Sequence, residues 1–529
     1  MTRAGSSRVC GILAFLLSSL CLSLLFWDRP GYIATSDTLG SAEFVWDMLH
    51  HPGAWSTFQQ PHSPEFVPAE LVFGLLQALT DNWRIALAGW IWLMLFGLLA
   101  LGGRIAQSIA QSQISQADPA SVTAAMLLLT FPIMAGAALG FPGFTIANDA
   151  GGTFFPWFLL LLPGQHGGTL LLVLAASLVA HHALTHPSTA SLIGLGLLCA
   201  AAEASDQLCL VSLLVPATAG VLGARLTGEI APALTIRLLA SVWGGATLGG
   251  ISVLRVERQF MPELTLDYAL THGQRFLAAL SQNHGLLLAC AVLALALGRD
   301  FWRRGVRGTL GGFWPLFALA SAGGSLTFMV VFYEDTWSFR YIGPLLWWAV
   351  MSAAAWLAEI LTGHLRAARG AAAMMCACVC AIWLTTGLSF GFHRPSLLVP
   401  ASSLAACLRQ EGLHTGLADY WIARRTTMDT DWSMQIQPID SYGAARVWGN
   451  DWTWFTHGLR DPARRPDYRF IVLDRLPVER IAGVYGQPDR AVSCGGSLIW
   501  VYDGPGRLYD GLKEASPFMA EVFAAAPRS

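Results

Sequence analysis

Acidic and imidazole side chains crowd one short stretch near the start of the chain. Asp37, Glu43, Asp47, His50, His51, His62 and Glu65 all fall between positions 28 and 67. Groups of this kind can take up protons or hold a cation. A second candidate lies late in the apolar region, in "FYEDTWSFRYIGP", where Arg340 and Tyr341 follow Glu334 and Asp335. A guanidinium suits a phosphate because its planar fork makes two charge-assisted hydrogen bonds; the same arginine could instead pair with Glu334 or Asp335. "TIANDAGG" offers Asn148 and Asp149, and "AEASDQL" offers Glu203, Ser205 and Asp206 between two apolar runs. Charge at membrane depth is costly and tends to be paired or functional, whereas the same groups in a loop are simply solvated, and both readings stand. His181, His182 and His186 in "HHALTHP" have the look of a metal cluster. No glycine-rich phosphate loop accompanies any of them.

The elements that must carry these groups are helices in a membrane. The chain has 529 residues, of which 12% are charged, and its mean hydropathy is +0.50. A net charge of −2 gives no bulk attraction to nucleic acid. Apolar runs long enough to span recur from Val9–Phe26 to Ala371–Phe390. Arg3 and Arg8, the cluster from Arg299 to Arg307, and Arg366 with Arg369 mark the inner side. The weak member is "TFFPWFLLLLPGQHGG", whose apolar core is too short to cross, so Thr153–Ala180 reads as one bent crossing with a re-entrant start. That leaves about 11 transmembrane helices, or about 13 if runs have been merged, and either odd number puts the C-terminus outside. The first run lacks a small-x-small cleavage site before Trp27 and reads as an anchor.

With this threading the loop 28–67 is external. Leu39, Phe44, Val45 and Met48 recur near helical spacing, which predicts a short helix along the interface with Ser36 as N-cap and Asp37 in its first turn. Of Glu43 and Asp47, at least one is expected to be simply solvated. "HSPEFVPAELVFGLLQALTDN" predicts a second juxtamembrane helix, with the next span starting after Asn82.

One N-terminal span, an outer loop with an early acidic residue, two juxtamembrane helices and a proline-marked entry to the second span resemble the GT-C superfamily of integral-membrane glycosyltransferases. The resemblance is best over the first 105 residues and implies the following. The donor is a polyprenyl-phosphate-linked sugar, and the acceptor a glycan, lipid or protein outside the membrane. Asp37 is the catalytic base. Arg340 and Tyr341 hold the lipid phosphate, and Asp149 supplies a second acidic group near acceptor or metal; beside what the resemblance implies, Glu334, Asp206 and His62 are taken from their positions as further substrate-binding candidates. A divalent cation is left open. The implied location is the bacterial inner membrane, multi-pass. Two other classes fit the same topology: a transporter or flippase of lipid-linked saccharides, against which stand the missing internal repeat and the large tail, and a non-catalytic scaffold of an envelope polysaccharide machine.

Two domains follow: a transmembrane GT-C-like domain over 1–392 and a soluble α/β domain over 393–529 in the periplasm or other extracytoplasmic space. From Ala401 onward 29 of 129 residues are charged, against 37 of the first 400. "PASSLAACLRQEGL" predicts an amphipathic helix, "HTGLADYWIARRTTMDT" a strand and turn, and "YRFIVLD" and "SLIWVYD" two strands. The segment after Asp503 is expected to be loosely packed, and Trp448, Trp452 and Trp454 to be core or a sugar platform. Cys407 and Cys494, the two cysteines of the tail, suggest a disulfide in an exported domain. The domain reads as an acceptor-binding or structural cap.

Overall fold

The structure is a computed structural model. It describes residues 36–51, 57–59, 64–113, 118–138, 146–147, 153–154, 159–253, 265–281, 284–306, 312–332, 336–362, 403–447, 449–451, 453–455 and 465–517, with scattered positions elsewhere. His62, Asp149, Glu334, Asp335, Trp448 and Trp452 lie outside the described residues, as do half of the first apolar run and nearly all of the last. The chain forms two compact units, Met1–Arg29 with His62–His393, and Pro30–Pro61 with Arg394–Ser529.

The first unit is helical and multi-pass. Among the described residues, Trp83–Gln111, Gly167–Thr185, Pro232–Ile251, Phe313–Phe332 and Ser338–Thr362 are long and apolar enough to cross a membrane. Shorter apolar helices include Phe66–Thr80, Pro119–Met134, Thr189–Ser205 and Leu210–Leu226. Leu197, Leu226, Ile236, Leu248 and Leu295 stand exposed, as lipid-facing side chains do in place of the polar surface of a soluble protein. Helices meet through small residues. A Cβ at Gly245 or Gly249 would come within 2.1 Å of the Gly196 carbonyl oxygen or 2.3 Å of that of Ala200, so the "GGATLGG" face lets Pro232–Val253 lie against Thr189–Ser205.

Among the described residues, the stretch before Gly167 does not form a helix that could cross. Thr153–Phe154 pairs antiparallel with Ile146–Ala147. Leu159 to Leu162 are buried in a turn within the unit, where the Leu160 side chain meets Gly343. Gly164 (φ 71°) and His166 (φ 64°) both adopt the left-handed conformation, which stops any helix from running through them. The helix begins only at Gly167.

The second unit is a five-stranded mixed sheet with helices around it. Strand order is Gln435–Ile439, Thr415–Asp419, Phe470–Val472, Ser497–Val501, Arg490–Cys494. The first two pairings are parallel and the last two antiparallel. One face buries Leu417, Ile471, Trp500 and Tyr502 with Tyr468 and Leu508. The other buries Ala418, Phe470, Val472 and Ile499 with Leu408. Cys407 and Cys494 are joined by a disulfide, their Cα atoms 5.4 Å apart.

Two local expectations are corrected, and the packing of the early helix is defined. The segment after the strand Thr415–Asp419 is a helix, Tyr420–Asp429, and not a turn; the Asp419 carboxylate accepts the Trp421 N–H at 3.0 Å and caps it. The segment after Asp503 carries a packed helix, Arg507–Ala515, with Leu508, Tyr509 and Leu512 buried. The early helix Ser36–His50 buries Leu39, Ala42, Phe44 and Val45 inside the second unit and packs on the helix Tyr420–Asp429. It is therefore a core element of that unit.

Candidate functional site

Two clusters of polar groups stand out, one in each unit, and each is built by its own local sequence.

In the first unit the chain enters the helix Phe66–Thr80 through Glu65, whose φ of 49° turns the backbone back on itself. The Glu65 N–H donates to the Ser205 carbonyl at 2.9 Å, and the Val67 N–H to the Ser205 hydroxyl at 2.9 Å. The end of the helix Thr189–Ser205 thus fixes the Glu65 carboxyl, which is buried and accepts the His166 N–H. His166 caps the helix Gly167–Thr185, and its Nδ1 lies 2.6 Å from Asp206 Oδ2. Asp206, 1% exposed, also accepts the Leu208 N–H at 2.9 Å through Oδ1. Gly167 makes the arrangement possible, since a Cβ there would sit 1.9 Å from the Leu160 carbonyl oxygen.

Arg340 and Tyr341 come to the same place from the turn Thr336–Ile342. Arg340 Nη2 donates to the Tyr341 hydroxyl at 2.9 Å and Nη1 lies 3.5 Å from Gln165 Oε1. The Tyr341 ring is 4.9 Å from the His166 ring. Burial first, then the negative charge of Asp206, pushes the Glu65 carboxyl well above the usual carboxylate range.

Glu65, His166 and Asp206 each offer one ligand atom, all within 4.8 Å of one another. Glu65 Oε2 is buried without a hydrogen-bond partner among the described residues. Two carboxylate oxygens and one imidazole nitrogen suit a divalent ion such as Zn²⁺ or Mn²⁺, and its charge would offset two acids held out of water. The residues fit a cation. The histidines of "HHALTHP" do not form this group: the His181 ring packs on Trp314 and its Nδ1 lies 3.2 Å from the Ser108 hydroxyl.

In the second unit the helix Ser36–His50 places Asp37 in its first turn, partly exposed. Asp37 Oδ1 accepts the Tyr420 hydroxyl at 3.1 Å. Arg424, one helical turn beyond Tyr420, donates to that hydroxyl at 3.0 Å and to Asn450 Oδ1 at 2.8 Å. It also donates to the Gly449 carbonyl and pairs with Glu43. Gly40 leaves the space for it, since a Cβ there would lie 3.0 Å from Arg424 Nη1. Glu43 and Asp47 are 3% and 0% exposed, so the expectation that one is solvated does not hold. The helix turns both inward, where Arg424 and the His51 ring, 3.0 Å from Asp47, replace water. Burial raises the Glu43 carboxyl against the pull of Arg424. Burial, Glu43 and Asp451 together push Asp47 up to about 9.

The structure thus brings Asp206, Arg340 and Tyr341 into one cluster, puts Asp37 in a network of its own unit, and joins Cys407 to Cys494. Sequence reasoning missed His166, Tyr420 and Arg424, and gave Glu65 no role. His166 lies in "PGQHGG", where the glycines signal a turn and nothing signals a ligand. Tyr420 and Arg424 stand four apart, a spacing that shares a face only once the segment is known to be helical.

Comparison with solved structures covers nearly the whole chain. The structure of ArnT from Cupriavidus metallidurans bound to undecaprenyl phosphate superposes with a TM-score of 0.50 at 12% identity, over 92% of this chain and 97% of that one. The same protein in its apo state gives 0.51 at 12% identity, over 94% and 98%. The chain shares that fold, in accord with the GT-C-like architecture expected from its sequence. It extends through both units, including the C-terminal α/β unit. No family model and no curated protein matches the sequence.

Proposed function

We propose that the protein is a membrane glycosyltransferase that moves a sugar from a polyprenyl-phosphate carrier to an acceptor hydroxyl outside the membrane. The observation that carries this reading is the fold, shared over 92% of the chain with a protein solved bound to undecaprenyl phosphate. The Arg340 fork beside Tyr341 and Gln165 supports a phosphate-holding role in the first unit. Asp37 supports a base in the second: partly exposed, in the first turn of a helix, and oriented by a hydroxyl.

The chemistry asked of these residues is a displacement. The acceptor hydroxyl gives its proton to the Asp37 carboxylate as its oxygen bonds to the anomeric carbon. The bond from that carbon to the phosphate oxygen breaks, and the electron pair leaves with the polyprenyl phosphate. Arg340 offsets the charge left on the phosphate. Glu65, His166 and Asp206 would hold a divalent cation, which when bound supplies a Lewis acid for phosphate oxygen. The soluble unit lies in an extracytoplasmic space, in accord with its disulfide.

Mass spectrometry of envelope glycans tests the reading. A deletion strain is expected to lose one sugar modification that wild-type protein restores and Asp37→Asn does not. An unchanged glycan profile in the deletion strain would count against it.

A further inference from the structure

The α/β unit contains the carboxylate to which the proposed reaction assigns its proton. We infer that Tyr420 and Arg424 are positioning residues for Asp37, together fixing the orientation in which its carboxylate meets the acceptor hydroxyl. This rests on the reading of Asp37 as the base.

The hydrogen-bond directions are determined by who can donate. Arg424 has only donors, so the Tyr420 oxygen must accept from it at 3.0 Å. The hydroxyl proton is then directed at Asp37 Oδ1, 3.1 Å away. Burial keeps the Tyr420 phenol above its usual range, so it stays a donor. Arg424 is in turn immobilised. It is 3% exposed, paired with Glu43 on the same helix as Asp37, and bonded to Asn450 and the Gly449 carbonyl. Arg446 stacks 4.4 Å from the Tyr420 ring centroid and holds the ring plane. One carboxylate oxygen is therefore held by a chain of bonds rooted in the core of the soluble unit.

The location supports a functional rather than a purely structural network. Tyr420 directly follows the strand Thr415–Asp419, an inner strand with parallel neighbours on both sides. The carboxyl ends of parallel strands are where open α/β sheets place their sites. A network meant only to fasten the helix Ser36–His50 would need the Arg424–Glu43 pair alone; Tyr420 adds a bond to the one acid of that helix that remains partly exposed.

Tyr420→Phe removes the hydroxyl and keeps the ring, so it separates positioning from packing. In liposomes with a polyprenyl-phosphate sugar, this variant should lose about tenfold in kcat with donor KM within about twofold, the scale of one hydrogen bond to a charged group. In an Asp37→Asn background the same substitution should cost less than about twofold more, because no base is left there to position. An unchanged kcat in Tyr420→Phe, with Asp37→Asn inactive, overturns this inference alone. So does an equal tenfold loss in both backgrounds. Wild-type turnover in Asp37→Asn would overturn the role of the base and this inference with it.

Discussion

A carboxyl held away from water keeps its proton, and Asp47 is held so by burial and by Glu43 and Asp451 around it. Its ordinary value of 3.8 is raised to about 9. Across that window the folded chain binds a proton that the unfolded chain has released, so stability is full below the lower value and declines as pH rises toward the upper. Asp47→Asn removes the titration and keeps the shape. Its melting temperature relative to wild type should climb steadily from about pH 5 to about pH 9; a difference independent of pH would refute the assignment. At Arg340 the relevant property is the fork rather than the charge. Arg340→Lys should raise the donor KM more than it slows saturated turnover. An unchanged KM in a folded Arg340→Ala variant would remove Arg340 from the phosphate.

Elements position the metal-type cluster through backbone geometry more than through side-chain chemistry. Gly167 starts its helix where a Cβ would be 1.9 Å from a carbonyl oxygen, so Gly167→Ala must displace either the turn Leu159–Leu162 or the helix. We expect ~1–3 kcal/mol of destabilisation and loss of divalent metal from the purified protein, read by elemental mass spectrometry, as also in His166→Ala. Full metal content in both variants would show that the cluster holds none. This same dependence on backbone geometry limits what can be read from residues alone. The long helices follow from apolar runs, and "YRFIVLD" and "SLIWVYD" from β-rich composition, because burial is written directly into those segments. The helix Tyr420–Asp429 was hidden by its polar, β-branched content. It exists because Asp419 caps it and the sheet buries Ala423 and Met428 beneath it. Asp37 and Arg340 are proposed from a family resemblance; His166 and Glu65, brought together across about a hundred residues by two left-handed turns, carry no such signal in the sequence.

At the scale of the whole molecule, the chain interleaves its two units: Pro30–Pro61 leaves the helical unit to join the C-terminal α/β unit. The arginine clusters at Arg299–Arg307 and Arg366–Arg369 predict an external C-terminus. A reporter active only outside the membrane, fused after Ser529, should be active, and a cytoplasmic signal would contradict the assigned side. The carboxylate of Asp37 is proposed to activate an acceptor for a sugar carried on polyprenyl phosphate. This role is tested most directly by transfer of a labelled sugar from that carrier, using purified wild-type and Asp37→Asn protein in liposomes. The account predicts acceptor-dependent transfer with release of polyprenyl phosphate, reduced about 10²–10⁴-fold by Asp37→Asn with donor binding retained. Equal rates from the two proteins would contradict it.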